Sequence, residues 1–172
     1  MLALAPDAYD AMVAHCITGA PLEACGLLVG RPAASRPAPG SEAPPATDSH
    51  AQVVPGLELQ TADPDPVVRI ELCLPARNAA ASARVYTVEP VDLLRADRRA
   101  EAEGAEVMGV YHSHTHTEAY PSPTDVAQAP DPSWHYVLVS LRDTEPTVRS
   151  YRIRDGRIEE EPVAVLKGAN LA

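Results

Sequence analysis

Positive charge is scarce in this sequence: Lys and Arg total 14 against 24 Asp and Glu, a formal net charge of -10 at pH 7. Such a chain repels phosphate backbones, so nucleic acid is excluded as an expected partner. Long apolar runs are lacking too, because charges, prolines or glycines interrupt every candidate before the ~20 residues that crossing a bilayer requires. Residues 1–6 lack the basic start and apolar stretch of a secretory leader, and Asp7 and Asp10 follow at once. The expectation is a cytoplasmic protein with no membrane partner. Cysteine is sparse. Cys16, Cys25 and Cys73 are odd in number and scattered in spacing, which fits neither a disulfide framework nor a CxxC metal knuckle. Cys25 has no local base or cation to make it a nucleophile, and no internal repeat is visible.

What the chain does have is enough apolar material for one core: 45% of its 172 residues are hydrophobic, so a single domain over 1–172 is expected. Residues 7–18 carry Ala8, Met12, Val13 and Ile17 near helical spacing, with Asp7 as a candidate cap. Gly19 and Pro21 stop that helix, and the apolar run 24–30 reads as a buried strand with Glu23 just before it. Eight prolines fall within 31–66, which marks a flexible, extended insertion. Residues 67–74 and 84–89 read as strands about a turn at Asn78. Pro90 opens a helix to about Glu103, with Val91, Leu93 and Leu94 on its apolar side. Strands follow at 107–112, 134–141, 147–153 and 158–165, the last two joined by an Asp155-Gly156 hairpin turn. The acidic stretch 159–161 reads as a solvated strand edge. The sum is an α/β domain with a mixed sheet.

The chemistry concentrates in residues 108–126, MGVYHSHTHTEAYPSPTDV. Side chains alternate along a strand, so His112 and His114 face one way and Ser113 the other, and two imidazoles can reach one metal. Ser122 and Pro123 have the pattern of a helix start, which puts Asp125 on its first turn. If the loop folds back, Asp125 supplies a third ligand and a fourth position stays open, the arrangement of a catalytic rather than a structural zinc. Glu23 is the candidate to accept a proton from the activated water, provided its strand lies beside the one ending at His112. His-x-His alone is weak, since two histidines at a strand end are often a polar patch. Ser122 and Asp125 at fixed offsets complete the spacing H-x-H-x7-S-x2-D. His116 continues the alternation, but a fourth protein ligand would close the site. His15, His50 and His135 have no partner spacing, and Tyr111 and Tyr120 flank the motif as packing or channel residues.

With Glu23 upstream and EACGLLVG following it, the chain resembles the JAMM or MPN-plus metalloproteases. The stretches YHSHTHTEAYPSPTDV, HYVLVSLRD and RSYRIRDGRIEEEPV are similar to an actinobacterial branch that acts on a sulfur-carrier protein in cysteine biosynthesis. The resemblance implies an MPN-type, cytidine-deaminase-like fold. It also implies one Zn2+ per chain on His112, His114 and Asp125, Glu23 as general acid/base, and Ser122 steadying the oxyanion. The implied activity is hydrolysis after the Gly-Gly end of a ubiquitin-like sulfur carrier, releasing cysteine or a short extension. Two alternatives are removal of such a modifier from lysines and a non-catalytic MPN scaffold; the intact motif argues against the scaffold. A DNA-repair-associated branch reads HNHPSG where this chain reads HSHTHT. The Pro-rich insertion departs from the compact form of the actinobacterial branch.

Overall fold

The computed structural model describes residues 1–32 and 67–166. The Pro-rich stretch therefore lies outside the described residues except at its start, where Arg31 and Pro32 continue a strand instead of leaving it. The elements run β1 (Leu2–Leu4), α1 (Pro6–Gly19), β2 (Cys25–Pro32), β3 (Val68–Ala76), α2 (Pro90–Ala102), β4 (Glu106–His114), α3 (Pro123–Ala127), β5 (His135–Ser140), β6 (Thr147–Arg154), β7 (Arg157–Glu161) and β8 (Val163–Val165). The described strands form one mixed sheet in the order β7-β6-β5-β4-β2-β3-β1-β8. β1 runs parallel to β3 and β8, β4 runs parallel to β5, and the other neighbours are antiparallel.

β7 and β8 occupy opposite edges of this sheet although Pro162 alone separates them. Consecutive residues cannot sit at two distant edges, so the sheet rolls until its edges meet. Leu2 donates its N–H to the Pro162 carbonyl at 2.9 Å, the first rung of the β1–β8 ladder. Glu161 meets the seam from the β7 side. Its carboxylate bonds His135 Nδ1 at 2.5 Å and accepts the Ser150 hydroxyl at 2.7 Å, with the Met1 amine 3.8 Å away. Burial opposes the charge, but these partners hold the carboxyl below its ordinary range. The acidic stretch is thus a solvated edge at Glu159 and Glu160 only, and Glu161 is an interior clasp.

Each face of the rolled sheet has its own apolar cluster. One packs Ala8, Met12 and Cys16 of α1 against Leu28, Ile70, Tyr111, Val137 and Val139. The other packs Ala96 of α2 with Leu27, Val110, Tyr136, Leu138 and Tyr151. Strand alternation assigns the faces: in β5, Val137 and Val139 meet α1 while Tyr136 and Leu138 turn the other way. A strand covered on both sides is apolar throughout, which is why β5 reads HYVLVS without polar alternation.

Several expectations give way to tertiary context. α1 begins at Pro6 with no side-chain cap, and Asp7 instead lies in the first turn, where its charge opposes the helix dipole favourably. In α2 the buried positions are Ala96 and Ala100, whereas Val91 and Leu94 are exposed, because small residues let this helix lie close to the sheet. Residues 84–89 form no strand; a single bridge joins Asn78 and Val88. β1 itself, three residues long, gives too short a signal to read. Residues 158–165 split at Pro162 into two strands, since proline has no N–H to carry a ladder onward.

Gly26 shows how tightly β2 is packed: a Cβ there would stand 2.4 Å from both the Leu74 carbonyl and the Tyr111 ring. Gly26→Ala is expected to cost about 3 kcal/mol of unfolding free energy in a denaturant titration. Gly104→Ala meets nothing within 4 Å but has φ +62°, so it should cost only about 1 kcal/mol.

Candidate metal centre

β4 ends in the chain segment that turns toward α3. His112 and His114, two residues apart, leave the sheet on the same face as Val110, as alternation requires, and both are buried. Their Nε2 atoms lie 3.2 Å apart. α3 delivers the third group. Ser122 caps this helix in a reciprocal box: its hydroxyl accepts the Asp125 N–H at 3.2 Å while the Asp125 carboxylate accepts the Ser122 N–H at 2.7 Å. Asp125 is thereby aimed back at the strand, with Oδ1 3.4 Å from His112 Nε2 and Oδ2 3.4 Å from His114 Nε2.

These separations test the fit of a metal. An ion bonded to each atom at about 2.0–2.2 Å in tetrahedral geometry sets its ligands about 3.3–3.6 Å apart. The two imidazole nitrogens, 3.2 Å apart and each 3.4 Å from one Asp125 oxygen, come close to that spacing, and the three residues form a metal-suited group among the described residues. His114 Nδ1 bonds the Glu118 carbonyl at 2.8 Å, so Nδ1 carries the proton and Nε2 keeps its lone pair for a metal. His112 is held differently, by stacking on the Tyr86 ring with centroids 4.2 Å apart. The donor set and its spacing fit a metal site.

Glu23 reaches this place through strand pairing. β2 runs antiparallel to β4 with Cys25 opposite His112, so Glu23, two residues before β2, lies beside the end of β4. Its carboxylate is buried, and Oε2 has no hydrogen-bond partner among the described residues. Burial raises its pKa to about 7; His114 opposes this and Asp125 adds to it. Burial also pushes up Asp125, but hydrogen bonds from His112 and His114 outweigh it and hold that carboxyl well below the usual carboxylate range. His112 is lowered by burial despite Asp125, whereas for His114 the bonds to Asp125 and the Glu118 carbonyl overcome burial and raise it. The site therefore pairs a firmly ionised carboxylate with one poised near neutrality, a pattern common where protons are moved.

The remaining candidates separate cleanly. His116 is exposed and bonds Thr115 at 2.7 Å, outside the cluster. His15 bonds the Tyr111 hydroxyl at 2.9 Å on the α1 side of the sheet. Burial pushes the Cys25 thiol up to about 12, so it is no nucleophile. Tyr120 is exposed and lines a hollow of about 660 Å3 with Pro121, Val126 and Ile158. A second hollow of about 600 Å3 is lined by Glu23, Arg84 and His116, and the two hollows share His114 and Ser122. Three contributors have no sequence signal of their own: Tyr86, Asn78 and Ser113, whose roles depend on neighbours far along the chain.

A carboxyl whose folded pKa exceeds its unfolded value favours the native state while protonated and loses that advantage as pH rises. In chelator-treated protein the Glu23 contribution should therefore fall between the ordinary carboxylate range and about 7. Melting curves should show Glu23→Gln matching wild type in acid and exceeding it above neutrality.

Comparison with known proteins agrees with this geometry. The family of prokaryotic homologs of the JAB domain matches residues 5–154. The chain is 36% identical over 168 residues to the CysO-cysteine peptidase of Mycobacterium tuberculosis, covering 97% of this chain and 92% of that protein. It is 29% identical over 144 residues to the desampylase of Haloferax volcanii, covering 81% and 80%. The solution structure of protein DSY2949 from Desulfitobacterium hafniense shares the fold with a TM-score of 0.75 at 25% identity, over 99% of this chain and 96% of that one. With a match over residues 5–154 that includes Glu23 and the whole His-His-Asp group, the chain belongs to the prokaryotic JAB (JAB/MPN) family.

Proposed function

We propose that this chain is a cytoplasmic zinc peptidase that hydrolyses the bond after the Gly-Gly end of a small ubiquitin-like sulfur carrier, releasing cysteine or a short C-terminal extension. The observation that carries the reading is the buried His112, His114 and Asp125 group, its imidazole nitrogens 3.2 Å apart and each 3.4 Å from an Asp125 oxygen, beside the buried Glu23 carboxyl. Support for the substrate class comes from the relative named CysO-cysteine peptidase, which this chain matches over nearly its full length.

In this reading His112, His114 and Asp125 hold one Zn2+ and leave a coordination position free of protein. When bound, zinc supplies Lewis acidity, polarising a carbonyl and making a water easier to deprotonate. Glu23 takes that water's proton on its carboxylate and returns it to the leaving amine. Ser122 keeps the Asp125 N–H on its lone pair while its own proton is free to meet the developing oxyanion, so cap and stabiliser are compatible. The two hollows meeting at His114 and Ser122 give an extended chain room on both sides of the scissile bond.

A second reading, cleavage of a modifier from lysine, is favoured by the match to a desampylase. The chemistry is shared and the leaving group differs.

Zinc-loaded protein incubated with a Gly-Gly carrier bearing a C-terminal cysteine should shorten it by one cysteine, followed by intact mass. Glu23→Gln should lower kcat by about 100-fold or more, and a chelator should abolish turnover. An unchanged carrier mass with zinc bound overturns the cysteine-releasing reading. Loss of a lysine-linked modifier under the same conditions supports the second.

A further inference from the structure

We infer that Asn78 and Ser113 are positioning residues that set the place of Glu23 against the metal-binding histidines; this rests on Glu23 acting as the acid/base proposed above. No group among the described residues hydrogen-bonds the Glu23 carboxylate, and its Oε2 is buried without a partner. The carboxylate therefore inherits its position from its backbone. That backbone lies outside β2 and gets no ladder of its own.

Side chains and a loop hold it instead. Glu23 donates its N–H to the Ser82 carbonyl at 2.9 Å, and Asn78 Nδ2 donates to the Glu23 carbonyl at 2.9 Å. The same Asn78 amide donates to the Val85 carbonyl at 3.1 Å and accepts the N–H groups of Ala80 and Thr87, each at 3.0 Å. Val85 and Thr87 flank Tyr86, the ring stacked on His112. One amide thus fixes both the acid/base backbone and the aromatic surface behind a metal-binding imidazole.

Ser113 grips from the sheet. An antiparallel bonded pair exchanges two backbone bonds. Here Ser113 gives its N–H to the Ala24 carbonyl at 2.9 Å, but the Ala24 N–H returns to Ser113 Oγ, at 2.9 Å, in place of the backbone carbonyl. The hydroxyl is fully buried on the α1 face of the sheet. Because Ser113 stands between His112 and His114, the residue after Glu23 is tied to the strand segment that presents both histidines.

The test compares Asn78→Asp and Ser113→Ala with wild type, using zinc-loaded protein and the Gly-Gly-Cys carrier. Asn78→Asp keeps the shape but turns lone pairs toward two carbonyls; Ser113→Ala leaves a buried N–H unpaired. Each should lower kcat about 10- to 100-fold with KM within about twofold and bound zinc at the wild-type level. Ser113→Thr, which keeps the hydroxyl, should recover most of the loss. Amide exchange at Glu23 and Ala24 should quicken in both damaging variants while β4 and β5 stay protected. Unchanged kcat, unchanged exchange, or zinc lost in proportion to kcat overturns the inference. If wild type leaves the carrier intact, the peptidase reading fails, and exchange at Glu23 and Ala24 alone decides whether Asn78 and Ser113 hold that segment.

Discussion

The antiparallel pairing of β2 with β4 is the constraint on which the rest of the site depends. With Cys25 set opposite His112, a residue near the N-terminus and two histidines almost ninety positions later share one strand end. A slip of one residue would turn His112 and His114 to the α1 face and Ser113 to the metal face. Tight packing resists that slip: Gly26 admits the Leu74 carbonyl and the Tyr111 ring at distances that forbid a side chain. Register, packing and chemistry are therefore fixed by the same few residues.

Around that pairing the protein buries the carboxyls of Glu23 and Asp125 and the imidazoles of His112 and His114. Burial of ionisable groups is costly unless they are bonded to one another. Asp125 solves this by accepting the Ser122 N–H and lying 3.4 Å from each imidazole, which keeps its carboxyl well below the usual range. Glu23 is not solved in the same way, and its raised pKa is the result. A stable acid in the wrong place would be neutralised by partners; an acid meant to exchange protons has to be left without them.

The fold makes the arrangement rigid by rolling its sheet. Pro162 passes the chain from one edge to the other, and the Met1 amine meets the Glu161 carboxylate across the seam. β4 and β5 thereby lie in the middle of the sheet, covered by α1 on one side and by the α2 cluster on the other. A site on the end of such a strand moves little, which suits a reaction that depends on ångström placement.

Local chemistry was enough to read much of this. The H-x-H-x7-S-x2-D spacing, the helix start at Ser122 and the strand character of 107–112 depend on neighbours within a few residues, and the structure brings His112, His114 and Asp125 together as that spacing suggests. The Asp155-Gly156 turn was legible for the same reason, its positive φ angles being a preference of those residues. Contacts across the chain were not legible. Asn78 looked like a turn residue and is a four-bonded organiser; residues 84–89 looked like a strand and instead supply Tyr86 to His112; Glu161 looked solvated and closes the seam. β-branched composition says that a segment can pair, but pairing needs a free edge, and only the order of the whole sheet decides where one remains. The sequence by itself determined which side chains could bind a metal and how they are spaced along the chain. The tertiary structure alone decided that Glu23 stands beside them, its carboxylate without a hydrogen-bond partner among the described residues, because that depends on a register between strands that no local preference specifies.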